Sequence, residues 1–356
     1  MATFLLPRFV ERQGGDTHMN ITEMVNQLDS NIKSKPLGIL WGDGRFAMYQ
    51  FKDEFNSSLL YAEYIAEIEK RIENNTVDAT NVGYYRAYLA VLYFLISDYN
   101  TAKKMIDVCL ESDINDEFRN EVINFSNQLG LRDFYDDWTV KETENFFFRY
   151  RLGEGNKINL DEFAFQREEA LKYIQSIFNV SLLKKIDFFI WDSREEAHKQ
   201  LQRQLGFAYS MFNVIHSSFD QTLGHEITHI ITGYLYTQGK FDLFINEGIA
   251  VYLDQSNRNR LAHARLCLSH CNIMNVKVMD VWKGLRDFPQ PVSYAVAAVF
   301  IERLLNGYGQ EKLIQLITNQ SCEDANNIYG RDDFEKLICE LESDLQIEEY
   351  VSSIII

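Results

Sequence analysis

Two histidines four residues apart, His225 and His229, flank a carboxylate in the stretch His225-Glu226-Ile227-Thr228-His229. On an α-helix, positions i and i+4 share a face about one turn apart, so both imidazoles can reach one metal ion. Glu226 sits beside the first histidine. That is too close for a comfortable third ligand but well placed to take a proton from a water activated by the metal. A catalytic zinc ion wants three protein ligands and one open position. Downstream, Phe244-Ile245-Asn246-Glu247-Gly248-Ile249-Ala250-Val251-Tyr252-Leu253 opens a second helical pattern. A helix, a turn and the first turn of that second helix can return Glu247 to the two histidines, which makes it the candidate third ligand. The chemistry expected of such a set is hydrolysis by a metal-activated water.

His-Glu-x-x-His followed by Asn246-Glu247-Gly248-x-Ala250-x-Tyr252 resembles the gluzincin metallopeptidases, most closely their short members known as peptidase MA-like domains. The resemblance extends over much of 145–320. It includes a strand-helix-strand lead-in and the later run from Ser293-Tyr294-Ala295 through Phe300-Ile301-Glu302 to Gly307-Tyr308-Gly309. It implies a zinc-dependent peptidase with Zn2+ held by His225, His229 and Glu247, and with Glu226 as general base. It also implies that the Tyr294 hydroxyl helps hold the oxyanion; the other reading of Tyr294 is a core tyrosine. The metzincin pattern fails, because Leu235 stands where its third histidine belongs and Thr232 where its glycine does. Thermolysin-like enzymes carry an acidic residue four after the ligand glutamate, where this chain has Val251. Asp254, seven after Glu247 on the same helical face, is the substitute partner for a zinc-bound histidine. The segment Gly206 to Asn213 lacks the glutamate with which aminopeptidases grip a free amine, so an endopeptidase is preferred.

The elements that must position these residues read as α+β and mainly helical. Residues 1–36 are polar and unpatterned and read as a flexible arm. Residues 37–51 look like two short strands around Gly42-Asp43-Gly44. From 55 to 130 the apolar spacing is helical: Leu60, Tyr64, Ile68 and Ile72 step by four, and Tyr85, Leu89, Leu92 and Ile96 by three and four. The turn Ser97 to Ala102 resembles a tetratricopeptide-type helical hairpin. A mostly helical N-terminal domain over 37–140 is therefore expected, with a boundary in the acidic, aromatic stretch 131–142. It would pack without a groove or dock a protein partner. A zincin-like domain, small sheet plus active-site helices, would occupy 141–356. Its strands fall at 145–151, 186–191 and 207–216, and a helix at 161–178; Asp192 or Ser193 caps the helix after the second strand. Beyond Phe219 only helices are expected. An extended peptide would pair with the strand at 207–216.

Composition narrows the partners. The chain has 356 residues and a net charge of −17, which disfavours nucleic acid and anionic membrane surfaces. The start carries no signal-peptide pattern, and no run of about 18 apolar residues suggests a membrane span. Five scattered cysteines suit reduced thiols, so a cytoplasmic protein is expected. Cys267, His270 and Cys271 read as helix residues without a second pair to complete a metal site. His198, His216 and His263 read as structural, and Glu340 to Glu349 as a solvated helix face. The substrate expected is a peptide or protein. Two other classes stay open: a peptidase-like fold used as a binding module, and zinc-dependent hydrolysis of a non-peptide substrate.

Overall fold

A computed structural model describes residues 20–34, 36, 40, 57–153, 158–235 and 241–346. The turn expected around Gly42-Asp43-Gly44 lies outside them. The architecture is α+β and mainly helical, with one small mixed sheet.

The first described helix is α1, Ile21–Ser34. Asn20 and Glu23 cap it reciprocally: the Glu23 amide donates to Asn20 Oδ1 at 3.0 Å and the Asn20 amide to Glu23 Oε2 at 3.1 Å. Met24, Val25, Leu28 and Ile32 bury one face of this helix. This corrects the flexible-arm reading for residues 21–34: the stretch is amphipathic, and its apolar stripe is covered. Next come α2 (Ser57–Glu73), α3 (Val82–Leu95), α4 (Tyr99–Leu110) and α5 (Asp116–Gln128). The expected helical hairpin is α3 and α4. Asp98 caps α4 by accepting from the Thr101 amide at 3.1 Å.

The sheet holds five strands in the order β1-β2-β3-β5-β4. They are β1 (Thr139–Glu142), β2 (Phe146–Tyr150), β3 (Ile186–Trp191), β4 (Phe207–Tyr209) and β5 (Val214–Ser218). β2, β3 and β5 run parallel; β1 and β4 add antiparallel edges. Between β2 and β3 the chain crosses through α6 (Leu160–Phe178), capped by Asn159. After β3 it makes α7 (Arg194–Leu201), whose cap is Ser193 accepting from the Glu196 amide at 3.1 Å. The strand expected over 207–216 is instead a hairpin. Both arms are apolar, but Ser210–Phe212 form a 3-10 turn and Asn213 takes a left-handed conformation, φ 52°, which reverses the chain.

Strand residues alternate between two cores. Ile186, Phe188, Ile190 and Ile215 face α6 and the C-terminal helices. Phe189, Trp191, Phe207 and Val214 face the N-terminal helices. The sheet is therefore a wall shared by both halves. The segment expected to be a domain boundary is part of that wall's packing: Tyr135 and Trp138 lie edge-on to Trp191, with ring centroids 6.1 and 4.9 Å away. Asp187, 1% exposed, ties the layers further. Its carboxylate accepts from Arg149 on β2 at 2.8 and 2.9 Å and from Tyr99 on α4 at 2.8 Å. Such a pair holds only because both carboxylate oxygens are satisfied. Among the described residues no helix is long and apolar enough to cross a membrane.

His216 on β5 is fully buried between the Phe189 and Phe207 rings, 4.6 and 5.0 Å away by centroids. The Trp191 indole can only donate, so His216 Nδ1 accepts from it at 2.9 Å. The Gln128 carbonyl can only accept, so His216 Nε2 donates to it at 2.8 Å. Both nitrogens are used and the ring is neutral. Burial pushes its pKa down to about 3 from the ordinary 6.5. The unfolded chain thus binds a proton below 6.5 that the folded chain excludes down to about 3, and stability drops as pH falls across that window. The stability advantage of wild type over His216→Gln, from urea unfolding, should be largest near about pH 7.5. It should shrink by on the order of 1–3 kcal/mol by about pH 4.5. A gap that does not change with pH would contradict this reading of the ring.

Candidate metal centre

The helix α8, His225–Gly233, begins directly on the first histidine. Ile227, Ile230 and Ile231 are buried in the core, as their spacing predicts, which turns His225 and His229 to the opposite side. Thr228 and Thr232 are also buried, and each satisfies its hydroxyl on the carbonyl four residues back, at 2.8 and 2.9 Å. No side-chain cap starts α8. Gly224 precedes it because a Cβ there would collide with the carbonyl of Leu253; its amide donates to the Asp254 carbonyl at 3.4 Å. The start of α8 is thereby pressed against the end of the next helix, α9, Leu243–Tyr252.

Helix α9 carries Glu247. Asp242 caps it, accepting from the Ile245 amide at 3.0 Å on one oxygen and from the Trp282 indole at 2.9 Å on the other. Gly248 follows the glutamate at a close helix crossing. A Cβ on it would lie 2.8 Å from the Ala297 carbonyl oxygen of α12, Gln290–Tyr308. The four C-terminal helices around this pair are α10 (Arg260–His270) and α11 (Val278–Lys283) before α12, then α13 (Gln310–Asn319) and α14 (Cys322–Tyr329). A last helix, α15 (Arg331–Leu345), closes the described chain.

These contacts bring the three sequence-predicted ligands together. His225 Nε2 lies 3.4 Å and His229 Nε2 3.7 Å from the same oxygen, Glu247 Oε2. The two imidazole rings stand nearly perpendicular, 84° apart, with centroids separated by 4.9 Å. One ligand atom from each of the three residues falls within 4.8 Å of the others, and no other histidine, cysteine or carboxylate group does so among the described residues. The side chains are partly covered, at 20%, 16% and 13% exposure. Burial pulls the His225 pKa down, but the Glu247 hydrogen bond and the charges of Glu226, Glu247 and Asp254 raise it overall. Burial pushes Glu247 up, and the two histidines outweigh it and hold the carboxyl well below its usual range.

Glu226 is 8% exposed, and its Oε2 is buried with no hydrogen-bond partner. A buried carboxylate oxygen left unpaired costs about 1–3 kcal/mol or more. A proton donor in contact with that oxygen would relieve the cost. The donor set of two imidazole nitrogens and one carboxylate oxygen, with an unpaired acceptor beside it, fits a zinc ion and its open position.

Tyr294, in the second turn of α12, also reaches the cluster. Burial, then the Glu247 charge, raise its hydroxyl to about 12. It therefore keeps its proton and acts as a donor. Asp254 is buried nearby, but its carboxylate is bound to Arg260 at 2.7 Å and to the Ser256 amide at 2.9 Å. Its effect on His225 is through charge.

Among the described residues the other histidines stay outside the cluster. His198 is exposed on α7. His263 lies 3.8 Å from Cys267 Sγ and 3.5 Å from Arg258, a cation that opposes a metal there. Sequence reasoning missed Trp282, Gln320 and the roles of Asn246, Gly224 and Gly248. Asp242 before an apolar periodic run was a legible cap signal.

The α9–α12 crossing makes a clean prediction. Gly248→Ala should destabilise the protein by about 1–3 kcal/mol in urea unfolding, because the added methyl meets helix backbone. Gly307→Ala, in the same α12 with nothing within 4 Å of its added methyl, should be neutral or stabilising by up to about 1 kcal/mol. Equal effects would mean that the crossing is not tight.

No family model matches this chain, and no curated protein matches it.

Proposed function

We propose that the chain is a zinc-dependent peptidase of gluzincin type, with an endopeptidase preferred over an aminopeptidase. His225, His229 and Glu247 would hold the ion. The observation that carries the reading is the convergence of their ligand atoms within 4.8 Å, beside the unpaired buried oxygen of Glu226. When bound, zinc supplies Lewis acidity, both toward a water molecule and toward the scissile carbonyl.

The chain's own groups do the rest. Glu226 removes a proton from the attacking water and returns it to the leaving amine. Its Oε2 has no other partner to compete for that proton. Tyr294 donates its hydroxyl hydrogen toward the oxygen that gains charge in the tetrahedral state. β4 is an edge strand packed beside α8, so an extended substrate would lie along Phe207–Tyr209. The 3-10 turn at Ser210–Phe212 limits that pairing to a short stretch. The net charge of −17 disfavours polyanionic substrates, and a peptide or protein is the substrate class proposed.

Purified protein should bind about one zinc per chain and cleave a peptide library, with cleavage lost to a chelator and restored by zinc. Glu226→Gln should retain the metal and lose about 10²–10⁴-fold in kcat. Undiminished cleavage by that variant, or zinc-bound protein that cleaves no peptide, would overturn the proposal.

A further inference from the structure

The ligand helix is held at its start by a side chain from far along the chain. Gln320 follows α13 and is 5% exposed. Its Oε1 accepts from the Asp242 amide at 2.5 Å and from Asn246 Nδ2 at 2.8 Å. Asn246, 1% exposed, also donates through Nδ2 to the Asp242 carbonyl at 2.6 Å. Asp242 is the cap of α9, and Asn246 immediately precedes Glu247. A single amide oxygen thus bridges the residue that starts the helix and the residue beside the third ligand.

The backbone of Gln320 shows that more than helix termination is involved. It sits in the left-handed region, φ 45° and ψ 41°, as the C-cap of α13. Glycine or asparagine occupies that conformation at less cost. An ordinary side chain there is strained, yet this one is buried and turned onto α9. The hydrogen bonds reach the Asp242 amide, which would be orphaned on its removal, and Asn246, which would keep only its bond to the Asp242 carbonyl.

We infer that Gln320, acting through Asn246 and the Asp242 amide, is a positioning residue that holds Glu247 in register with His225 and His229. The inference rests on the zinc reading of those three residues. Groups that orient a metal ligand commonly change metal affinity by about 10–100-fold when removed.

Gln320→Gly separates the two roles. It removes the clamp and at the same time relieves the left-handed strain, so helix termination is preserved or improved. Two readouts on the full chain decide the matter. In metal-free protein, hydrogen exchange of the amides at Asp242 to Asn246 should accelerate in the variant while the melting temperature stays within a few degrees. In protein titrated with Co2+ as a spectroscopic probe, affinity should fall about 10–100-fold and the d–d bands should shift. Unchanged exchange at α9, or unchanged Co2+ affinity and spectrum in a variant whose wild type binds Co2+, overturns the positioning role. Should wild type itself bind no Co2+ or zinc, the zinc reading fails and the positioning role with it. Faster exchange would then still identify Gln320 as the structural clamp of α9.

Discussion

The separation between His225 and Glu247 depends on how closely α8 can approach the end of α9. The Leu253 carbonyl occupies the space a Cβ on Gly224 would fill, so only glycine admits that approach immediately before the first histidine. The same logic repeats at Gly248, where the Ala297 backbone takes the place of a side chain. Two missing side chains therefore bring three helices together, and with them His225, His229, Glu247 and Tyr294. Polar atoms then finish what packing begins. Asp242 caps α9 and is itself fixed by Trp282, while one buried oxygen of Glu226 is left without a hydrogen-bond partner. A buried acceptor left unpaired is a local violation of the kind that calls for a physical explanation in a native structure.

This helical assembly stands on one face of a sheet whose other face belongs to the N-terminal helices. β3 is buried along its whole length, because each of its faces meets a different core. The two halves of the chain are consequently coupled through single strands. Asp187 reaches Arg149 and Tyr99, and His216 reaches Trp191 and Gln128, on the face away from His225, His229 and Glu247. Loss of the N-terminal helices would expose the aromatic row Phe189, Trp191 and Phe207 and strip the wall behind α8 of its outer layer.

How much of this was legible follows from the range of each interaction. His225 and His229 needed only the helical period, which four residues determine. Ile227, Ile230 and Ile231 announced the buried face in the same way. Glu247 was legible from its spacing and from the resemblance of its flanks to gluzincins. Tyr294 came from resemblance alone; no local pattern relates it to residues on two other helices. Gln320 and Trp282 act over separations of 40 to 78 residues and leave no local trace. The arm at 21–34 was misjudged although Asn20 and Glu23 spell a capping box before Met24, Val25 and Leu28. The run 207–216 was read as one strand because both hairpin arms are apolar, and the single turn signal was Asn213. Tyr135 and Trp138, in the acidic and aromatic stretch 131–142, pack against Trp191 of the sheet, a contact that no local pattern announces.

Zinc K-edge X-ray absorption of protein loaded with about one equivalent of zinc tests the central claim most directly. The expected spectrum has a nitrogen and oxygen shell at about 2.0–2.1 Å with two imidazole signatures, and it changes on Glu247→Ala. A sulfur shell at about 2.3 Å, or a spectrum indifferent to loss of Glu247, would contradict the assignment of His225, His229 and Glu247 as the ligands.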